Sequence, residues 1–216
     1  MADNSTYIDP ESGIPLTAID REVLATKDED LHLITWDELK DVIATKNLEA
    51  LKRTPSALRA YLTWSAAQKR IYGTVPNYIL RERLHWIPLE EGTFRFKIEN
   101  PTPFADSRDY RILRNDWPYA LGEGIVHIVV WLKTPLPVLE ETGELTEEGY
   151  AMVRAFVKEK FTERLRDRDV LGREEKEDEK VLWFKNTTRL QSVRALEHVH
   201  VLVRGVPEEL LEEWYA

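Results

Sequence analysis

Two histidines stand two positions apart near the end of the chain, in the segment Glu197-His198-Val199-His200-Val201. Alternate residues of a β-strand face the same side of a sheet, so His198 and His200 are predicted to share one face and Glu197 to occupy the other. An imidazole moves protons near neutral pH without a perturbed pKa. The pair therefore predicts that one histidine is a nucleophile or general acid/base while the other positions it or the substrate. A metal would require a third ligand, and because none is evident nearby no metal site is expected.

Three other segments place polar side chains inside or at the ends of apolar runs. These are Asn115-Asp116-Trp117, His127 within the run Ile125–Leu132, and Lys185-Asn186 after Trp183-Phe184. Each has a structural interpretation as well, because an Asn-Asp pair before an aromatic residue and proline makes a tight turn, and a lone buried histidine is usually a satisfied core residue. Binding residues concentrate on loops carried by a rigid scaffold, so these side chains and the two histidines are predicted to surround one cleft.

The elements that must position these residues fall into two parts. The first part carries helix start and stop signals, namely Thr35 with Glu38, Thr54-Pro55, and Gly73. These signals predict a helical cap over residues 35–84. Residues 1–30 contain prolines, glycine and acids without apolar periodicity, which predicts a loose N-terminal arm.

The second part has the pattern strand, strand, helix, strand, strand. The strand-like runs are Tyr110–Leu113, Ile125–Leu132, Val181–Lys185 and His198–Val203, and the helix starts at Thr146. The second of these runs is nearly all apolar and β-branched, as in a buried central strand. Residues 110–204 are therefore predicted to form a core of antiparallel strands and one helix, within a single α+β domain spanning residues 1–216.

Composition excludes several classes of protein. The chain has 216 residues, with 30 Lys and Arg against 39 Asp and Glu, and thus a formal charge of −9. A uniformly basic nucleic-acid wrapper is excluded, so any nucleic-acid contact must use a local patch. With no Cys there is no disulfide and no thiolate chemistry. The sequence has neither an apolar run of membrane length nor a signal peptide at its polar start, so a cytoplasmic protein without membrane contact is expected.

The stretch from Thr35 to Val203 resembles a fungal family of unknown-function domains that includes the N-acetylglucosamine-induced proteins. The matching segments are ITWDEL, LKRTPSALRAYL, IYGTVPNYIL, RLHW, DYRILRNDWPYA, IVHIVVWLK, VLWFKN and LQSVRALEHVHVLV. Ala120 stands where the family usually has glycine, which is a minor departure. Arginine-containing cyclodipeptide synthases resemble this same family. Those enzymes condense amino acids from two aminoacyl-tRNAs, one of them arginyl, and release a cyclic dipeptide.

Residues 110–204 resemble, more distantly, the histidine-triad fold of nucleotide hydrolases and transferases, which implies an antiparallel sheet of histidine-triad-like type with an N-terminal helical cap. The shared features are the N-D-W-P-Y turn from Asn115, the strand from His127 to Lys133, Asn186, and the segment from Gln191 to His200. The triad is incomplete, because Leu196 stands in its first place if His198 and His200 take the second and third. This register makes His198 the nucleophile, whereas a shifted register would nominate His200.

Three functions follow from these resemblances. The first is an aminoacyl-tRNA-dependent cyclodipeptide synthase of secondary metabolism that makes cyclo-Arg-Xaa products. The second is a histidine-triad-like nucleotide hydrolase or nucleotidyltransferase, and the third is a non-catalytic regulatory protein of amino-sugar metabolism. For the synthase, the catalytic candidates are His198, His200, Asn186 and Lys185. Its substrate-binding candidates are Asp116 and Glu197 around an arginine, Trp86 or Trp117 stacked over it, and His127 and Asn115 beside them.

The synthase would take arginyl-tRNA and a second aminoacyl-tRNA as partners and would need no cofactor. The basic residues that could form a local track for the RNA backbone are Lys52, Arg53, Arg59, Lys69, Arg70, Arg81, Arg83, Arg108, Arg111 and Arg114. The same residues are also interpretable as ordinary solvated charges, and the acidic total supports that alternative.

Overall fold

A computed structural model of the chain describes residues 7–188 and 190–216. Its strands are β1 Tyr7–Ile8, β2 Pro15–Leu16, β3 Tyr110–Arg114, β4 Ile125–Leu132, β5 Val181–Phe184 and β6 Glu197–Arg204. Its helices are α1 Ala18–Leu24, α2 Trp36–Ala44, α3 Pro55–Tyr72, α4 Val75–Tyr78, α5 Glu147–Val157, α6 Arg164–Asp167 and α7 Glu208–Tyr215. One π-helical turn, Ile79–Leu84, continues α4, and another, Lys158–Glu163, joins α5 to α6. Within the described residues no helix combines the length and the apolar character that crossing a bilayer requires.

The longer strands form one antiparallel sheet in the order β3-β4-β6-β5. The strand β4 lies inside this sheet because its residues are apolar on both faces, as a central strand requires. Its register places Val129 opposite Leu113 of β3 and opposite His200 of β6, and His200 in turn lies opposite Phe184 of β5. The predicted α+β class, with an antiparallel sheet, is confirmed.

The two faces of the sheet are covered by different helices. One face packs against α5 and the π-helical turn after it, through Ile128, Val130, Val199, Val201, Phe156 and Phe161. The other face packs against the N-terminal helices, through Val129, Trp131, Leu182, Phe184 and Leu202. Because burying an aliphatic or aromatic side chain contributes about 1.5–3 kcal/mol, apolar contacts hold both layers on the sheet. Side chains on the second face are therefore enclosed between the sheet and the cap.

The helices α2 and α3 begin at the residues that carry the start signals of the sequence, and α3 ends at Gly73. Thr35 and Glu38 make a reciprocal capping box at the start of α2, and the Thr54 hydroxyl caps α3. Gly73 ends α3 with a φ of 78°, an angle that glycine adopts without the strain of a side chain. Trp36 of α2 packs against the strands β5 and β6, which fixes the cap on the sheet.

The N-terminal segment is more ordered than its composition indicates. Residues 18–24 form α1, because Thr17 and Asp20 make a capping box and Val23 packs in one cluster with Leu58 and Leu62 of α3. A helix of seven residues is too short to show an apolar period and depends on its partner helix for stability. The prediction of a loose arm over residues 1–30 is therefore wrong for this helix, and residues 1–6 lie outside the described residues.

Candidate functional site

Three histidines meet on the face of the sheet that the cap covers. His198 and His200 are two positions apart on β6. His127 on β4 lies opposite Leu202, which is two positions from His200, so all three side chains share this face. Nε2 of His127 lies 2.9 Å from Nδ1 of His200. The rings of His198 and His200 are 5.2 Å apart and nearly perpendicular. We call these residues the histidine cluster.

Two amides and one phenol extend the histidine cluster. Nδ2 of Asn186 lies 3.2 Å from Nε2 of His200, and it also donates to the hydroxyl of Tyr119 at 3.3 Å. An amide N–H only donates, so Nε2 of His200 accepts and its Nδ1 carries the proton that points to His127. The amide nitrogen of Asn115 lies 3.2 and 3.3 Å from the two ring nitrogens of His127. The network therefore fixes both the orientation and the tautomer of His200.

Burial keeps these imidazoles neutral. The pKa of His127 falls from 6.5 to about 3, first because the ring is buried and then because the Arg53 guanidinium is near. Burial and the neighbouring His127 hold the pKa of His200 well below its ordinary value. Burial also lowers the pKa of His198, although its bond to the Leu196 carbonyl acts in the opposite direction. All three imidazoles are thus neutral at neutral pH.

His198 differs from His200 in the state of its second nitrogen. Its Nδ1 lies 2.8 Å from the backbone oxygen of Leu196. A carbonyl oxygen only accepts, so Nδ1 carries the proton and Nε2 has the lone pair. The indole of Trp131 packs beside the ring, with the two centroids 4.8 Å apart. Because both nitrogens of His200 are engaged in the network, the geometry favours His198 as the nucleophile or base.

The turn between β3 and β4 forms a roof over the histidine cluster. The backbone N–H of Trp117 donates to the side-chain oxygen of Asn115 at 2.9 Å, which closes the tight turn that the sequence predicts. Tyr119 stacks on His127 with the ring centroids 5.1 Å apart. Trp117 lies 5.5 Å from Tyr61 and 5.2 Å from Trp64 of α3, measured between ring centroids. The roof is thus fastened to the cap, and 3%, 4% and 7% of His127, His198 and His200 are exposed.

Not all of the predicted site residues join this cluster. The structure brings together His127, His198, His200, Asn186, Asn115 and, in the roof, Trp117. The carboxylate of Asp116 instead pairs with Arg83 at 2.7 Å. Trp86 packs against Phe96 and lies 5.6 Å from the Lys133 ammonium, a different neighbourhood.

Lys185 and Glu197 pair with each other instead of facing the histidines. Their charged groups are 3.1 Å apart, and Glu197 also accepts the Leu136 N–H. Glu197 occupies the opposite face of β6 from His198, as the alternation predicts. Glu197 lies opposite Leu132, whereas Asp116 lies two positions beyond Arg114, the residue opposite Ile128. Four positions of β4, about 13 Å, therefore already separate Glu197 from Arg114 along the strand direction, and Asp116 lies beyond Arg114. The predicted arginine clamp of Asp116 with Glu197 is therefore wrong.

The sequence patterns do not select Tyr119 for the site, and they assign Arg53 only to the basic track for RNA. Tyr119 is the last residue of the N-D-W-P-Y turn, and its place in that turn could have identified it as a site residue. Arg53 comes from the cap, where its Nε donates to the Trp117 carbonyl and its guanidinium lies 4.5 Å from the centroid of Tyr61. No local pattern connects Arg53 to the strands. Across the described ranges 7–188 and 190–216, no group of three or more His, Cys, Asp or Glu side chains is arranged to hold a metal ion.

The chain has relatives among fungal proteins. It is 25% identical over 194 residues to N-acetylglucosamine-induced protein 1 of Candida albicans, a match that covers 83% of this chain and 71% of that one. It is 31% identical over 170 residues to the uncharacterized protein YPL067C of Saccharomyces cerevisiae, covering 78% and 77% of the two chains. The crystal structure of HTC1 superposes on 81% of this chain and 86% of its own, with a TM-score of 0.59 and 29% sequence identity.

The family described as "protein of unknown function (DUF3605)" matches residues 35–204. The matched range contains the helical cap, the whole four-stranded sheet and every member of the histidine cluster. Together with the identity to the yeast relative, this match settles the classification: the chain belongs to that family.

Proposed function

We propose that this protein is an aminoacyl-tRNA-dependent cyclodipeptide synthase that makes cyclo-Arg-Xaa products. One observation carries the proposal. The Nδ1–H of His198 is bonded to the Leu196 carbonyl at 2.8 Å, which leaves the Nε2 lone pair of a neutral imidazole for chemistry. The resemblance of the family to arginine-containing synthases supplies the substrate class.

The reaction consists of two aminolyses. The α-amine of one aminoacyl ester attacks the carbonyl carbon of the other, a peptide bond forms, and the ester bond between the attacked amino acid and its tRNA breaks, which releases the first tRNA. The free amine of the resulting dipeptidyl ester then attacks its own ester carbonyl, which releases the cyclic product and the second tRNA. In each step a base takes a proton from the attacking amine, and the ribose oxygen that leaves takes a proton in return.

His198 is assigned as that base, and His200 as a positioning residue. The lowered pKa of His198 keeps it in the form that accepts a proton, while α-amines titrate near pH 7.7–8.0 in general. The network from Asn186 through His200 to His127 holds the strand face rigid beside it. Because 4% of His198 is exposed, an aminoacyl ester reaches it only when the side chains or loops that enclose it move.

The RNA partner requires a cationic surface outside the histidine cluster. Basic side chains of the cap supply one, since Lys69 and Arg70 lie in the last turn of α3 and Arg81 and Arg83 in the π-helical turn after α4. Phosphate contacts of this kind position an RNA without reading its sequence. Binding through them is expected to weaken with salt.

The proposal is tested by incubating the purified chain with arginyl-tRNA and a mixture of other aminoacyl-tRNAs and searching for new masses. Cyclic Arg-Xaa products are the expected result. A parallel incubation with dinucleoside polyphosphates tests the second candidate, and release of nucleoside monophosphate there would replace the proposal. Products from neither incubation would overturn both and leave a non-catalytic protein.

The second candidate is a histidine-triad-like nucleotide hydrolase or nucleotidyltransferase. The observation that favours it is the position of His198 on the sheet, since a neutral imidazole with its Nδ1–H held by a backbone carbonyl also suits attack by Nε2 on phosphorus. The observation against it is Leu196, a buried apolar residue in the first triad position. For this reason the aminolysis is ranked first.

A further inference from the structure

A cavity of about 770 Å³ lies against the outer side of β3, an edge strand of the sheet. Its volume is within the range of small-molecule sites. Its walls come from β3, from the end of α7, from the helical segment before α6 and from the residues that follow the π-helical turn Ile79–Leu84. It shares none of the residues of the histidine cluster or of its roof, so it is a separate place on the molecule.

Cationic side chains dominate this cavity, which we call the β3 cavity. Its charged side chains are Arg108, Arg111, Lys160 and Arg164 against Glu159 and Glu213. Several are already paired. Arg108 is hydrogen-bonded to Asp106, and Arg164 to Glu213. Lys160 Nζ lies 3.9 Å from the Glu159 carboxylate, which is too far for a hydrogen bond. Within the part of the chain that the structure describes, Arg111 has neither an ion pair nor a hydrogen bond, so its guanidinium is available to an anion.

The edge of β3 adds backbone donors to these charges. Asp109 accepts the Lys133 N–H and Asn115 donates to the His127 carbonyl, so alternate residues of this segment bond inward to β4. In an antiparallel pair the residues between them turn their backbone N–H and C=O groups outward. Tyr110 and Ile112 are those residues, and both line the β3 cavity.

Two buried donors without acceptors lie in the same wall. The indole N–H of Trp214 and the hydroxyl of Tyr215 have no hydrogen-bond partner among the described residues, and Trp214 is 9% exposed. Both donor atoms are themselves buried, so they make no contact with a ligand in the cavity as it stands. The half-buried indole of Trp86 contributes an aromatic surface to the cavity. The cavity therefore favours a ligand that is anionic, rich in oxygen atoms and flat in one part.

We propose that the β3 cavity binds a nucleoside phosphate, with the phosphate at Arg111 and Lys160 and the base against Trp86. A planar guanidinium forms paired bonds with phosphate oxygens, and an indole stacks on any base. The ligand has two sources, a free mononucleotide or the terminal nucleotide of an RNA chain. The inference goes beyond the proposed function, because the cavity and the histidine cluster are independent and nucleotide binding needs no catalysis.

Isothermal titration calorimetry on the full chain tests the inference with adenosine, inorganic phosphate, AMP and a short single-stranded RNA. AMP is expected to bind more tightly than adenosine or phosphate alone. Arg111→Gln should weaken AMP binding roughly 10- to 100-fold, because it removes a charge-assisted bond. The matched control is Arg95→Gln, an exposed arginine outside the cavity, which should leave binding unchanged.

The outcomes separate the two sources of the ligand. RNA that binds more tightly than AMP identifies an RNA terminus, and the opposite order identifies a free nucleotide. Both orders support the inference when Arg111→Gln weakens the binding. Absence of binding by AMP and by RNA at millimolar concentration would overturn it, as would equal affinities of the Arg111→Gln and Arg95→Gln variants.

Discussion

Nε2 of His127 and Nδ1 of His200 lie 2.9 Å apart, although 73 positions separate the two residues in the chain. The bond joins the two central strands of the sheet, β4 and β6, and both rings are buried. Burial holds the pKa of both rings below the ordinary value. The hydrogen bond therefore joins two neutral imidazoles, one as donor and one as acceptor. Because the Asn186 amide donates to Nε2 of His200, the tautomer of His200 is set by a residue that follows β5, and His127 is the acceptor of the bond.

Removing one partner of this bond is predicted to cost stability. In His127→Leu, the buried Nδ1–H of His200 loses its acceptor, and the free energy of unfolding should fall by about 1–3 kcal/mol. His200→Leu should have a similar cost, since it leaves the Asn186 amide without its acceptor on that ring. The double variant should lose less than the sum of the single losses. Urea denaturation followed by tryptophan fluorescence measures all three, and strictly additive losses would contradict the coupling.

The neutral histidines are also predicted to make stability depend on pH. The pKa of His127 in the folded chain is about 3, against 6.5 for the free side chain. Between these values the unfolded chain binds a proton that the folded chain excludes, so the free energy of unfolding falls as the pH decreases through this window. We expect a slope of roughly 1 kcal/mol per pH unit for each such histidine.

Denaturant titrations between about pH 5 and pH 7 isolate this effect, because most carboxylates titrate below that range. His127→Leu should have a smaller slope than the unsubstituted chain over the same interval. A stability that does not change over this interval would show that the folded chain binds protons as readily as the unfolded chain, so that folding does not lower the pKa values of the histidines.

Much of the fold follows from local patterns. The two residues of the capping box Thr35–Glu38 are close in sequence, and so are the residues of the apolar run Ile125–Leu132. The start of α2 and the central strand can therefore be predicted without tertiary information. The helix α1 could not be predicted in this way, because its stability comes from contacts with α3 and not from its own seven residues.

The site was predictable only where one strand determines it. His198 and His200 share a face because of the two-residue period of a strand, and Glu197 takes the other face for the same reason. The contact of His127 with His200 depends on the register between β4 and β6, which no local pattern specifies. The ion pair of Lys185 with Glu197 and the approach of Arg53 to the roof are likewise set by packing between distant segments.

Replacement of His198 is predicted to reduce turnover strongly while the fold persists. His198→Asn should reduce product formation roughly 100- to 10,000-fold, which is the range for loss of a general base. His200→Asn should have a smaller effect, because it disturbs the position of the site and leaves Nε2 of His198 in place. His32→Asn, at an exposed histidine just before the cap, is the control.

Each of these variants is assayed on the product that the mass screen identifies, after thermal unfolding shows that it is folded. Normal turnover of folded His198→Asn would remove His198 from the chemistry. Loss in His200→Asn alone would shift the base to that residue.

Lys185 and Glu197 provide the last prediction, since the sequence nominates Lys185 for catalysis and the structure pairs it with Glu197. The side chain of Lys185 is 7% exposed, so Lys185→Met leaves a largely buried carboxylate without its partner. This single change should lower the free energy of unfolding by about 3 kcal/mol, the lower part of the range for breaking a buried ion pair. In the double variant Lys185→Met/Glu197→Gln the charge is removed, and the amide oxygen can still accept the Leu136 N–H, so most of the stability should return. If the pair is structural, the folded double variant keeps its turnover; a loss of 100-fold or more in that folded variant would return Lys185 to the reaction.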